Sequence, residues 1–221
     1  MIDSTVGSVS RSTPTLSAGR SARLAAALSA LLNPTAVAVV LPVGIGAVTA
    51  GVTGALWGLV PAVFTGILPT MYARRLDRIA QQGHGGKSPR QLWVAFASLT
   101  VGLAVLILAG APHAVLVANV GLLAVLLVIT PITLLWDISI HAATIAGAAA
   151  FAVLALTPGA AATVGLALVV AVVGWSRLKL GKHQPTQVIA GTALGALACG
   201  LVYTVLADQF LSPSGGGRPV S

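Results

Sequence analysis

The sequence predicts an all-α membrane protein, a polytopic bundle of about six to seven transmembrane helices, and two observations carry that prediction. The first is composition. Of the 221 residues 57% are hydrophobic and 7% charged, with a mean hydropathy of +0.98, which leaves too little polar surface to solvate a globule in water. The second is the length of the apolar runs, which reach the roughly 17 to 25 residues a helix needs to cross a bilayer. They are rich in Ala, Leu, Val and Gly and lack the alternation of barrel strands.

Residues 1–24, "MIDSTVGSVSRSTPTLSAGRSARL", are rich in Ser and Thr, nearly free of acid and without apolar periodicity. A flexible N-terminal tail is expected there. A cleaved secretory leader is not expected, because further apolar spans follow rather than a soluble domain. The spans fall at 33–53, 55–72, 92–110, 114–136, 138–157, 160–176 and 187–207, inside a membrane-embedded domain of residues 25–208. Residues 209–221, ending in "LSPSGGGRPVS", form a second flexible tail. The divisions at 51–54 and at "TPGA" (157–160) rest on Gly and Pro alone, with no charge to hold them at an interface, so the count stands at six or seven.

With seven spans, eleven of the twelve Lys and Arg residues emerge on one face and only Arg218 on the other. The positive-inside rule puts that face in the cytoplasm, and the setting is read as a bacterial plasma membrane. The net charge of +8 would suggest nucleic acid for a soluble protein. In so apolar a chain the cations belong to loops, tails or a lined cavity, and no nucleic-acid partner is expected. Cys199 stands alone in an apolar run, which excludes an internal disulfide. Four scattered His and four Asp residues offer no convergent ligand set, so neither metal nor cofactor is expected. Gly191 and Gly195 form a GxxxG inside the last span and read as a site of close helix packing.

Three polar stretches share the cationic face: "ARRLDRIAQQGHGGKSPRQ" (73–91), "WDISIH" (136–141) and "GWSRLKLGKHQPTQVIAG" (174–191). Arg90 to Ser139 is 49 positions and His141 to Ser176 is 35, each about enough for two spans and a turn. Helical hairpins therefore return all three stretches to one surface.

Within the last stretch, Ser176 and Arg177 are followed after five residues by His183 and after three more by Gln187. This pattern resembles the SRxxxxxHxxxD signature of the type 2 phosphatidate phosphatase superfamily, which includes lipid phosphate phosphatases and vanadium haloperoxidases. The spacing agrees, and Gln187 stands where the signature has Asp. Upstream, "ISIH" (138–141) is similar to the family's PSGH and keeps Ser139 and His141, with Ile140 for Gly. Lys87 and Arg90 are the nearest counterparts of the family's KxxxxxxRP, at altered spacing.

The resemblance implies a membrane phosphatase acting on an amphiphilic phosphorylated lipid: a prenyl phosphate or diphosphate, or phosphatidate. By that resemblance His183 is the nucleophile that forms a phosphohistidine, and His141 is the acid that protonates the leaving oxygen. Gln187 holds His183, while Arg177, Ser139, Lys87 and Arg90 bind the phosphate. Elementary chemistry agrees, since a phosphate ester needs its equatorial charge held and a guanidinium offers a planar fork of donors. Ser139 or Asp137 caps a helix that puts His141 in its first turn, and Pro185 suits a first helical position.

Other readings keep their place. Arg177, Lys179 and Lys182 also fit an ordinary positive-inside loop, and His141 a structural role. His84 and His113 read as structural, and Asp77 as the partner of Arg74 or Arg78. Gln187 also fits a helix cap, and Asp77 or Asp137 is an alternative source of a carboxylate for His183. A non-catalytic lipid-phosphate binder or transport-associated protein, and a lipid phosphotransferase, share the same residues with the hydrolase. The sequence leaves the oligomeric state open.

Overall fold

A computed structural model describes residues 19–72, 75 and 89–210, and every regular element among them is helical. Helix α1 (Arg20–Leu31) opens this part of the chain. It starts inside the segment expected to be a tail, so the boundary drawn at residue 25 falls within a helix. Asn33 joins it to α2 (Pro34–Pro61). Its amide donates to Ala30 O at 2.6 Å, and its oxygen accepts from the Ala36 N–H at 2.8 Å as the N-cap of α2.

Helix α2 continues through a π-helical stretch, Ala62–Ile67, to Tyr72, giving an apolar segment of 39 residues that nominally forms a single span. It is in fact a hairpin. Ala50 and Gly51 leave helical geometry, with Gly51 at φ 61°, a conformation that only glycine adopts without strain. Beyond the turn the arms run antiparallel. A Cβ on Gly58 would lie 2.5 Å from Pro42 O, and the hydroxyls of Thr35 and Thr70 meet at 3.0 Å. In a continuous helix those two threonines would be roughly 50 Å apart. The two spans expected on either side of 51–54 are these two arms.

The remaining elements are α3 (Pro89–Leu108), α4 (His113–Leu135), α5 (Ile140–Leu156), α6 (Ala160–Lys179) and α7 (Pro185–Phe210). Short connections make each pair of neighbours antiparallel. The segment Pro34–Tyr72 taken whole, α4, α6 and α7 have the length and apolarity of membrane spans, and α3 and α5 contribute shorter apolar stretches.

Helix α5 lies at the centre, packed most extensively on α7 and touched by α2, α4 and α6. Lipid tails are as apolar as leucine, so close van der Waals packing rather than escape from water holds such helices together. The interfaces show it: a Cβ on Gly195 would sit 2.0 Å from Ala143 O, and one on Gly191 2.6 Å from Ser139 O. The GxxxG of α7 is the surface that presses onto α5. Deeper in, Cys199 is 1% exposed and its sulfur fills the space beside Gly121 and Gly147. Phe151 meets Tyr203 edge to face at 5.6 Å. The α5–α7 pair thus forms a rigid post, and the site stands at one end of it.

Candidate active site

Local signals place each polar residue at that end. Helix α6 stops in a Schellman motif: Gly181, at φ 62°, takes the left-handed position after the C-cap. The Lys182 N–H donates to Arg177 O at 3.1 Å and the Gly181 N–H to Leu178 O at 2.9 Å. This tight reversal carries the chain back over the end of α6. Pro185 then begins α7, so His183 lies in the turn between the two helices, as expected.

Arg177 and His183 face inward. Arg177 is 7% exposed and the His183 side chain 4%, whereas Lys179 and Lys182 between them are exposed. The Arg177 Nη1 donates to Ser29 Oγ, itself buried, at 3.0 Å. Its Nε is buried with no hydrogen-bond partner among the described residues. Ser176, also buried, turns its hydroxyl to Val173 O at 2.8 Å.

Ser139, fully buried, is the N-cap of α5. Its Oγ accepts from the Ala142 N–H at 3.4 Å, which leaves His141 in the first turn of the helix, as expected. The Ser139 N–H donates to Gln187 O at 3.2 Å and ties the α4–α5 turn directly to the first turn of α7.

Gln187 has a local partner. Its Oε1 accepts from the Gln184 N–H at 2.8 Å, the backward half of a capping box. Facing His183 is Asp137, with Oδ2 4.0 Å from Nδ1 and its side chain 52% exposed. Asp137 also acts electrostatically on Arg177. The structure thus brings Arg177, Ser139, Asp137 and His183 to one end of the bundle, with His141 in the first turn of α5. Lys87 lies outside the described residues. Arg90 opens α3 in its backbone, and its side chain is likewise outside them. Among the described residues no three His, Cys, Asp or Glu side chains converge as metal ligands.

Two contributors escaped sequence reasoning or were only one alternative in it. Ser29 had no signal, since a serine in an alanine-rich run is unremarkable. Asp137 was legible only as one of two candidate carboxylates. Leu31, Val37, Leu41, Ile145, Ala148 and Val169 line an apolar groove of about 380 Å³ between α1, α2, α5 and α6.

In comparisons with known proteins, the sequence model of the PAP2 superfamily matches residues 59–211, from the second arm of the hairpin through α7. No curated protein and no solved structure matches.

Proposed function

This chain belongs to the PAP2 superfamily, which implies a phosphatase-type hydrolase acting on phosphate esters, and from that premise we propose that it removes phosphate from a lipid phosphate or diphosphate through a phosphohistidine. One observation carries the reading. A turn whose cations served only to mark a membrane surface would solvate all of them; here Lys179 and Lys182 are exposed while Arg177 and His183, the two positions of the family spacing, are buried. Burying a guanidinium is costly unless its donors are used, and an incoming phosphate supplies acceptors for the ones Ser29 leaves over.

The roles are those that the family resemblance implies. Arg177 holds two equatorial oxygens, and Ser139, the N-terminal amides of α5, Lys87 and Arg90 complete the cradle. A ring nitrogen of His183 forms the P–N bond as the P–O bond of the ester, or of the anhydride in a diphosphate, breaks, and His141 gives its proton to the leaving oxygen. Water then attacks phosphorus, passing its proton to His141. The P–N bond breaks, and phosphate and the free histidine result. The apolar groove between α1, α2, α5 and α6 supports an amphiphilic substrate whose prenyl or acyl tail lies between the helices while the headgroup reaches Arg177. The excess of Lys and Arg that the sequence assigns to this face supports a cytoplasmic site in a bacterial plasma membrane.

Purified protein supplied with farnesyl diphosphate or phosphatidate in mixed micelles tests the reading. Phosphate release by wild type, lost in His183→Ala, is the expected result. Equal background rates for the two would leave a lipid-phosphate binder, and phosphate recovered on a second lipid would make the protein a phosphotransferase.

A further inference from the structure

Resting on the phosphatase reading, we propose that Asp137 is the positioning carboxylate for His183, borne on the turn between α4 and α5 and not on α7. The imidazole is buried, and a buried nucleophilic histidine needs one nitrogen held so that the other is presented as a lone pair. Gln187, at the position from which the family signature would supply that hold, has its side-chain oxygen on the Gln184 N–H. The chain has four acidic residues, Asp3, Asp77, Asp137 and Asp208. Asp3 and Asp77 lie outside the described residues, and Asp208 is roughly 35 Å along α7 from Pro185. Asp137 alone among the described acids stands at this end, 4.0 Å from His183 Nδ1.

The backbone holds it there. Asp137 is two residues before Ser139, whose N–H is bonded to Gln187 O and whose carbonyl lies against Gly191, where a Cβ would come within 2.6 Å. The turn bearing Asp137 is therefore fastened to the first two turns of α7, and His183 immediately precedes that helix. A separation of 4.0 Å is longer than a hydrogen bond, and catalytic contacts of this kind tighten when substrate binds.

With Asp137 on Nδ1, the attacking atom is Nε2. The Nδ1–H stays on the ring throughout, and the carboxylate offsets the positive charge that the ring acquires when Nε2 bonds to phosphorus. The guanidinium of Arg177 lies within electrostatic reach of Asp137. In a buried serine-protease triad the equivalent Asp-to-Asn change costs about 10⁴ in rate. Asp137 is half exposed, so a loss of roughly 10² is expected here.

The test compares wild type, Asp137→Asn and His183→Ala in phosphate release from farnesyl diphosphate micelles and in ¹⁵N-histidine NMR, where the His183 signals are assigned by their absence in His183→Ala. The proposal expects Asp137→Asn to lower kcat about a hundredfold with KM within threefold, and to move the His183 ring-nitrogen shifts. Unchanged His183 shifts would overturn it whatever the kinetics, and so would a kcat within threefold of wild type. Should Asp137→Asn fail to fold, Asp137→Glu and Asp137→Gln replace it; only the Glu variant is expected to keep the wild-type tautomer signature. Inactivity of wild type itself would sink the phosphatase reading, and the NMR comparison would still decide whether Asp137 holds His183.

Discussion

The guanidinium of Arg177 is held by the hydroxyl of Ser29 across 148 residues of sequence, at 3.0 Å and out of solvent. Ser29 belongs to α1, and neither it nor the first arm of the hairpin falls within the segment matched by the family model, 59–211. The N-terminal helix therefore contributes to the site from outside the family core. A hydrogen bond to a charged group is worth about 1.5–3 kcal/mol, so Ser29→Ala is expected to lower kcat/KM roughly ten- to a hundredfold. Steady-state kinetics with a lipid phosphate checks this, and an unchanged kcat/KM would remove α1 from the site.

Arg177 differs from its neighbours in geometry as well as in burial. Arg177→Lys keeps the charge but loses the planar fork, and a fall in kcat/KM of about a hundredfold is expected. Lys179→Ala and Lys182→Ala, at exposed positions, are expected to stay within about threefold of wild type, in keeping with the weak energetics of surface charges. A kinetic ranking with either lysine above Arg177 would contradict the burial pattern.

Gln187 is engaged as a cap, which sets what its replacement does. Gln187→Ala is expected to lower stability by about 1 kcal/mol through the lost cap while kcat changes little. Gln187→Asp is expected to bring no gain in rate, because Asp137 already faces His183. A large rate gain for the Asp variant would show that the nucleophile lacks a carboxylate in the native protein.

The contact between α5 and α7 depends on missing Cβ atoms. Gly191→Ala would press a methyl group onto the Ser139 carbonyl at 2.6 Å, and a loss of about 1–3 kcal/mol is expected from overpacking, together with lower activity as the N-cap of α5 shifts. Gly165→Ala, on the exposed face of α6 with nothing within 4 Å, is the control and gains up to about 1 kcal/mol of helix propensity. Thermal unfolding in detergent ranks the three proteins, and equal midpoints would refute the packing argument.

Orientation is open to chemical labelling. In a Cys199→Ala background, Lys182→Cys is expected to resist an impermeant maleimide on intact cells and to react after permeabilisation, as a cytoplasmic site requires. Ready labelling of intact cells would put the site outside.

The sequence by itself determined whatever depends on neighbours along the chain. Apolar length set the helices, Gly51 the reversal of the first hairpin, Pro185 the start of α7, and the SR-x5-H spacing the turn that bears Arg177 and His183. Each of these is written in hydrogen bonds and backbone angles spanning a few residues, so local chemistry suffices to read it. The tertiary structure alone decided which cation turned inward, that Asp137 came to His183 across 46 positions, and that Ser29 reached Arg177. Those outcomes depend on how far one helix slides and rotates against another. Here that is set by Gly191 and Gly195 seating α7 on α5 and by α1 lying along α6, contacts in which residue type permits a close approach but does not name its partner.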